Sequence, residues 1–260
     1  MLDRSTIIDA LHATLAAAPF AHAAWLAGSD ATGRTDRWSD IDLSTVVDDE
    51  HVEDAFGLVE RTLEALSPIE IRLRIPQPTW HGFDQSFYRL RDVEPTLMVD
   101  YSVMRLSNPQ RFLEPERHGM PLILFDRGKI VQPATLDRAA LAQRMRARLA
   151  DLRERFPLFQ NLVTKAVHRG SLVEAATSYQ MITLRPLVDA LRIRYAPERF
   201  DFGTRYLQFD LPAGTYSMIE WLATPSDGAG ILERQAEAVR LFEETVDDIT
   251  RLDVIGAFER

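Results

Sequence analysis

Apolar and polar positions follow two different rhythms along this chain, one in each half. Ile7, Ile8, Leu11 and Leu15 recur at helical spacing across Ser5 to Ala17, with Ser5 as a candidate N-cap and Pro19 as the stop. A short apolar run, Ala24 to Ala27, ends in Gly28-Ser29. A polar loop from Asp30 to Ser39 follows, then Asp40-Ile41-Asp42 leading into Leu43 to Val47. Both apolar runs have strand composition. Helical spacing returns over Asp48 to Leu66, with Val52, Ala55, Phe56, Val59, Leu63 and Leu66 on one side. Next, Ile69, Ile71, Leu73 and Ile75 alternate with Glu70, Arg72 and Arg74, which predicts a strand whose apolar residues face a core. The mixed stretch Thr79 to Asp92 predicts loop with a short helix over Gln85 to Leu90. Thr96 to Met104 predicts a strand with Leu97, Val99, Tyr101 and Val103 on one face and Met98, Asp100 and Ser102 on the other. Pro121 to Phe125 and Lys129 to Val131, joined by Asp126-Arg127-Gly128, predict a small hairpin.

Beyond Pro133 the pattern is helical throughout. Leu136 to Phe156, Leu158 to Arg169, Leu172 to Tyr195, Thr215 to Leu222 and Ala229 to Leu252 all carry helical spacing. The reading is an α+β chain with a mixed N-terminal domain over residues 1–133 and a helical C-terminal domain over residues 134–260, divided near Gln132 to Thr135.

Composition narrows the function classes. The chain has 260 residues, 46% hydrophobic and 27% charged, as in ordinary globular proteins. Its formal net charge of −9 argues against a nonspecific nucleic-acid binder, which carries a basic surface. There is no cysteine, which removes disulfides, thiolate nucleophiles and thiolate-bound zinc from consideration. The most apolar region, Leu15 to Ala27, is too short to span a bilayer and contains Pro19 and His22. No signal-peptide layout opens the chain, so the expectation is a cytoplasmic protein with no membrane partner.

The chemistry concentrates between Ala24 and Val47. Strand side chains alternate, so Asp40 and Asp42 share one face while Ile41 and Leu43 share the other. Two carboxylates about 7 Å apart on one strand repel unless a cation lies between them, and hard oxygen donors at that spacing suit Mg²⁺ together with substrate phosphates. Gly28 permits a tight turn, and the Ser29 hydroxyl with the turn amides can hold a phosphate. Asp100, flanked by Met98, Val99 and Tyr101, is costly to bury without a cation or hydrogen bonds. Glu70 reads equally as a further acidic ligand or as a solvated partner of Arg72.

The order Gly28-Ser29, short loop, Asp40-Ile41-Asp42 resembles the signature of the DNA polymerase beta-like nucleotidyltransferase superfamily, and the following stretch resembles the aminoglycoside adenylyltransferases within it. Ile69-Glu70-Ile71 stands where that group has a Val-Glu-Val-like strand, and Glu94-Pro95 to Asp100 resembles its acidic strand after Glu-Pro. The likeness covers residues 24 to 104 and is loose over the helical half. It implies a nucleotidyltransferase fold, a mixed sheet flanked by helices, followed by a helical bundle. It also implies two Mg²⁺ held by Asp40, Asp42 and Asp100, with Gly28 and Ser29 holding the nucleotide. Glu70 and Asp100 both fit the roles of proton acceptor and further metal neighbour. A lysine in the helical half touches the triphosphate in related enzymes, and the resemblance makes Lys165 the candidate for it.

The activity so implied moves AMP from ATP, the nucleoside triphosphate partner, to a hydroxyl of a small-molecule acceptor such as an aminoglycoside antibiotic. Two alternatives are the same chemistry on a protein or tRNA, as in toxin–antitoxin systems, and a catalytically silent nucleotide-binding module. The sizeable helical half and the acidic charge favour a small acceptor. The paired carboxylates disfavour the silent module.

Overall fold

The computed structural model describes Leu2–Arg260. The chain forms two compact units, Met1–Leu136 and Asp137–Arg260. Unit one is α+β and unit two is helical.

Six strands build the sheet of unit one: β1 (Ala21–Leu26), β2 (Ile41–Val47), β3 (Ile69–Arg74), β4 (Asp84–Leu90), β5 (Val99–Arg105) and β6 (Leu122–Asp126). Their order across the sheet is β3-β4-β5-β2-β1-β6. The sheet is mixed: β2 and β5 pair in parallel at its centre, and every other neighbour is antiparallel. Helices α1 (Arg4–Ala17) and α3 (Val52–Leu66) cover one face. Ile7, Leu11 and Leu15 of α1 and Val52, Phe56, Val59 and Leu63 of α3 meet Ile41, Leu43, Val99, Tyr101 and Val103 there, all buried. The alternation is thereby explained, because Ile41 and Leu43 are drawn into this core and Asp42 must emerge on the opposite face. A smaller cluster of Ala23, Trp25, Val46, Phe83, Met104, Leu113 and Val131 occupies part of that opposite face.

Local chemistry decides several details differently from the pattern. The N-cap of α1 is Asp3, whose carboxylate accepts the Thr6 amide, and Ser5 donates its hydroxyl to Asp3 instead. Residues 84–90 form strand β4 and not a short helix. Asp84, Ser86, Tyr88 and Leu90 are buried on one side, and pairing on both edges with β3 and β5 overrides the weak helical spacing. No hairpin follows Pro121. Strand β6 pairs with β1, and Asp126 takes the Ile130 and Val131 amides (3.0 Å each), which ends the strand in a capped turn.

Strand β3 is reversed relative to expectation. A register shift between Ile69 and Ile71 changes the parity, so Arg72 and Arg74 face α3 and Leu73 lies level with Phe87 on the other side. Arg72 pairs with Glu60 (3.1 Å) and Arg74 with Glu53 (2.8 Å), while the Arg74 guanidinium covers the Phe56 ring at 3.3 Å. Ile71 and Leu73 are left 47% and 54% exposed instead of facing a core.

Unit two is organised on α5 (Arg138–His168), a single helix that runs through Pro157 where two were expected. Leu152, Phe156 and Val163 are buried on either side of that proline, so packing offsets the one lost backbone hydrogen bond. Chain 172–195 is α6 (Leu172–Ser178), a π-helical turn (Tyr179–Leu184) and α7 (Arg185–Tyr195). Helices α9 (Ala213–Ala223) and α10 (Gly228–Arg251) follow a short α8 (Leu207–Asp210), and α11 (Val254–Glu259) is the last; the short α2 (Gly28–Thr32) and α4 (Pro115–His118) belong to unit one. Arg192 of α7 is fully buried and ion-paired with Asp210 at 2.8 Å. It also donates to the carbonyls of Arg199 (3.2 Å), Gly203 and Arg205, pinning the connection between α7 and α9.

Candidate active site

Strand β1 ends at Leu26, and the chain turns through Gly28 into the short helix α2 (Gly28–Thr32). Gly28 has φ +54°, and a Cβ built there would lie 1.8 Å from Asp42 Oδ2. Only glycine brings backbone that close to a carboxylate. The neighbouring amide of Ala27 donates to the Asp42 carbonyl at 2.8 Å, so the turn and β2 are locked together. Ser29 follows directly, and its hydroxyl oxygen is buried without a hydrogen-bond partner. A second glycine closes the other side of the turn. Gly119, beyond α4 (Pro115–His118), has φ +80° and would clash with the Ala31 carbonyl if it carried a side chain.

Asp40 immediately precedes β2. Its carboxylate accepts the Met98 amide at 3.0 Å, and its carbonyl accepts the Arg4 guanidinium at 3.0 and 3.2 Å. Arg4 is held in turn by Asp30. Asp42 lies opposite Asp100 in the parallel β2–β5 register, about 4.8 Å apart as neighbouring strands are. Gln85 of β4 donates to Asp100 Oδ1 at 2.7 Å. Burial, followed by the charges of Asp42 and Asp40, pushes the Asp100 carboxyl up to about 6, against the opposing pull of the Gln85 hydrogen bond. Three carboxylates therefore share one electrostatic environment beside the Gly28-Ser29 turn.

Of the other two candidates, Glu70 lies apart from this group within unit one and Lys165 belongs to unit two. Glu70 is exposed on the edge strand β3, two strands away from Asp100, and is ion-paired with Arg89 at 3.0 Å. Lys165 is exposed near the end of α5 in unit two.

Among the described residues, no three carboxylates or imidazoles converge closely enough to enclose a cation by themselves. The donor set fits a different kind of site. Asp42 and Asp100 offer hard oxygens side by side, and Mg²⁺ is commonly held by one or two carboxylates plus phosphate oxygens and water. A cation there would also offset the burial cost and the repulsion that together raise Asp100.

The residue that pattern reading missed is Gln85. Its segment reads as helix in isolation. Read as a strand, the buried Asp84, Ser86, Tyr88 and Leu90 leave Gln85 and Phe87 on the Asp100 face, so period-two alternation was the available signal.

No protein-family model matches the chain, and no curated protein matches it in sequence. Among solved structures, the chain is similar to an aminoglycoside 6-adenyltransferase from Bacillus subtilis, at 12% identity and a TM-score of 0.39, over 96% of this chain and 91% of that one.

Proposed function

We propose that this chain is a metal-dependent nucleotidyltransferase that moves AMP from ATP to a hydroxyl of a small-molecule acceptor of the aminoglycoside type, working in the cytoplasm. The observation that carries the reading is the facing pair Asp42 and Asp100 with Gly28 packed against the Asp42 carboxylate and the unpartnered Ser29 hydroxyl next to it.

In this reading Asp42 and Asp100, with Asp40 beside them, would hold Mg²⁺, which would supply neutralisation of the phosphate charge. Ser29 donates its hydroxyl to the phosphates that leave as pyrophosphate, and the Gly28 turn lets backbone approach them closely. Asp40 stays fixed through the Met98 amide and Arg4, so the acidic group enters the reaction already positioned. Asp100, its carboxyl pushed up to about 6 by burial, is proposed to accept the proton of the acceptor hydroxyl or to ligate a second metal. Glu70 has the weaker case for either role because Arg89 already engages it. Lys165 is proposed as a triphosphate contact on the resemblance alone.

Incubation with α-labelled ATP, Mg²⁺ and a panel of aminoglycosides tests the reading. Label on an aminoglycoside with release of pyrophosphate supports it. Label on protein or tRNA moves the acceptor class, and nucleotide binding without any transfer supports the silent module.

A further inference from the structure

The hydrogen bond from Gln85 to Asp100 is the last link of a directional chain that begins at a backbone amide. The Phe83 N–H donates to His81 Nδ1 at 3.1 Å. The Thr79 hydroxyl, also 3.3 Å from that nitrogen, spends its proton on the Phe83 carbonyl at 2.7 Å. His81 Nδ1 is thus an acceptor, and partial burial lowers the imidazole pKa, against the opposing pull of the Gln85 hydrogen bond, which favours the neutral ring. A neutral ring with Nδ1 unprotonated carries its proton on Nε2, because the hydrogen bond at one nitrogen sets the tautomer of the other. Nε2 lies 3.3 Å from Gln85 Oε1 and donates to it. The Gln85 amide must then present its NH₂ to Asp100 Oδ1, 2.7 Å away. The reverse amide orientation would set a carbonyl oxygen against the carboxylate and two donors against each other at His81.

We propose that His81 and Gln85 are positioning residues that fix the Asp100 carboxylate for a metal–nucleotide complex. The inference rests on the nucleotidyl-transfer reading and extends it to residues outside the acidic group. Gln85 occupies Oδ1 and leaves the second carboxylate oxygen to the metal. His81 prevents the amide from flipping. Outer residues of this kind typically alter metal affinity by about 10–100-fold when removed.

The test uses the full chain with Mn²⁺ and a non-hydrolysable ATP analogue, following free Mn²⁺ by electron paramagnetic resonance. Gln85→Met and Gln85→Leu, two variants of similar bulk without a donor, are expected to raise the Mn²⁺ Kd at least tenfold while the metal-free melting temperature stays close to that of the parent. In turnover at limiting metal the same variants are expected to raise the Mn²⁺ concentration needed for half-maximal rate at least tenfold. His81→Ala is expected to fall between parent and Gln85→Met. Long-range ¹⁵N–¹H spectra of the metal-free protein should show His81 as the Nε2–H tautomer. The relay is overturned by an Nδ1–H tautomer, or by Mn²⁺ affinity in Gln85→Met within twofold of a parent that binds normally. A parent that binds no Mn²⁺–nucleotide overturns the nucleotidyl-transfer reading itself, a distinct result from a variant that matches a binding parent.

Discussion

Removing the Asp100 charge should make the metal-free protein more stable. In the folded chain the carboxyl titrates at about 6, against an ordinary value of 3.8, because burial and the neighbouring Asp42 and Asp40 penalise its anion. Between those two pH values the native state binds more protons than the unfolded chain, so stability falls as pH rises through the window, and the whole cost is present above pH 6. A rise from 3.8 to about 6, at 1.36 kcal/mol per pH unit, corresponds to about 3 kcal/mol. Asp100→Asn keeps the shape and an oxygen for the Gln85 amide but never ionises. It should therefore melt roughly 6–12 °C above the parent at pH 8, taking 2–4 °C per kcal/mol for a chain of this size. Near pH 4 most of that gain should vanish, because Asp100 is then protonated in the folded state and only partly ionised in the unfolded chain. Thermal melts of the two proteins at pH 4, 6 and 8 without metal make the comparison. An equal or lower melting temperature for Asp100→Asn at pH 8 would refute the reasoning, as would a gain of the same size at pH 4.

Three further outcomes follow from the same geometry. Gly28→Ala forces a methyl group into Asp42 and an unfavourable positive φ, and should cost roughly 1–3 kcal/mol in urea denaturation while lowering Mn²⁺–nucleotide affinity; a variant with parental affinity would mean the turn does not shape the site. Arg192→Ala removes one of the two guanidinium partners of the buried Asp210, Arg199 at 2.8 Å being the other, and takes the donor from three carbonyls; it should destabilise unit two by about 3–5 kcal/mol in the same denaturation, with a loss below 1 kcal/mol counting against the pinning role. Glu70→Gln breaks only a half-exposed pair with Arg89, worth about 0–1 kcal/mol, so turnover should stay within about twofold of the parent whereas Asp100→Asn should lose it by orders of magnitude.

The sequence announced the acidic centre more clearly than the sheet around it. Asp42 had to oppose Ile41 and Leu43, and a core that takes two large aliphatic residues leaves little freedom for the residue between them. Gly28 was legible for a related reason, since its absent side chain is the space beside the Asp42 carboxylate. Strand β3 carries the most regular alternation in the chain and was nevertheless assigned to the wrong faces. One register shift between Ile69 and Ile71 inverts every later position, and no local pattern records where such a shift falls. Strand β4 was hidden because Asp84 and Ser86, both polar, occupy buried positions. Asp84 is carried there by ion pairs with Arg105 (2.7 Å) and Arg74 (3.6 Å), which only the assembled sheet supplies. Losing β4 also concealed Gln85. In unit two, helical periodicity was plain, but the bonds of Arg192 to residues 7 to 18 positions away in the connecting segment had no periodic trace.

Isothermal calorimetry of ATP binding, with and without Mg²⁺, to the parent and to Asp42→Asn tests the central claim most directly. The account predicts binding that requires Mg²⁺ in the parent and is lost in Asp42→Asn despite an intact fold. Binding of equal strength with and without Mg²⁺, unaffected by Asp42→Asn, would contradict it.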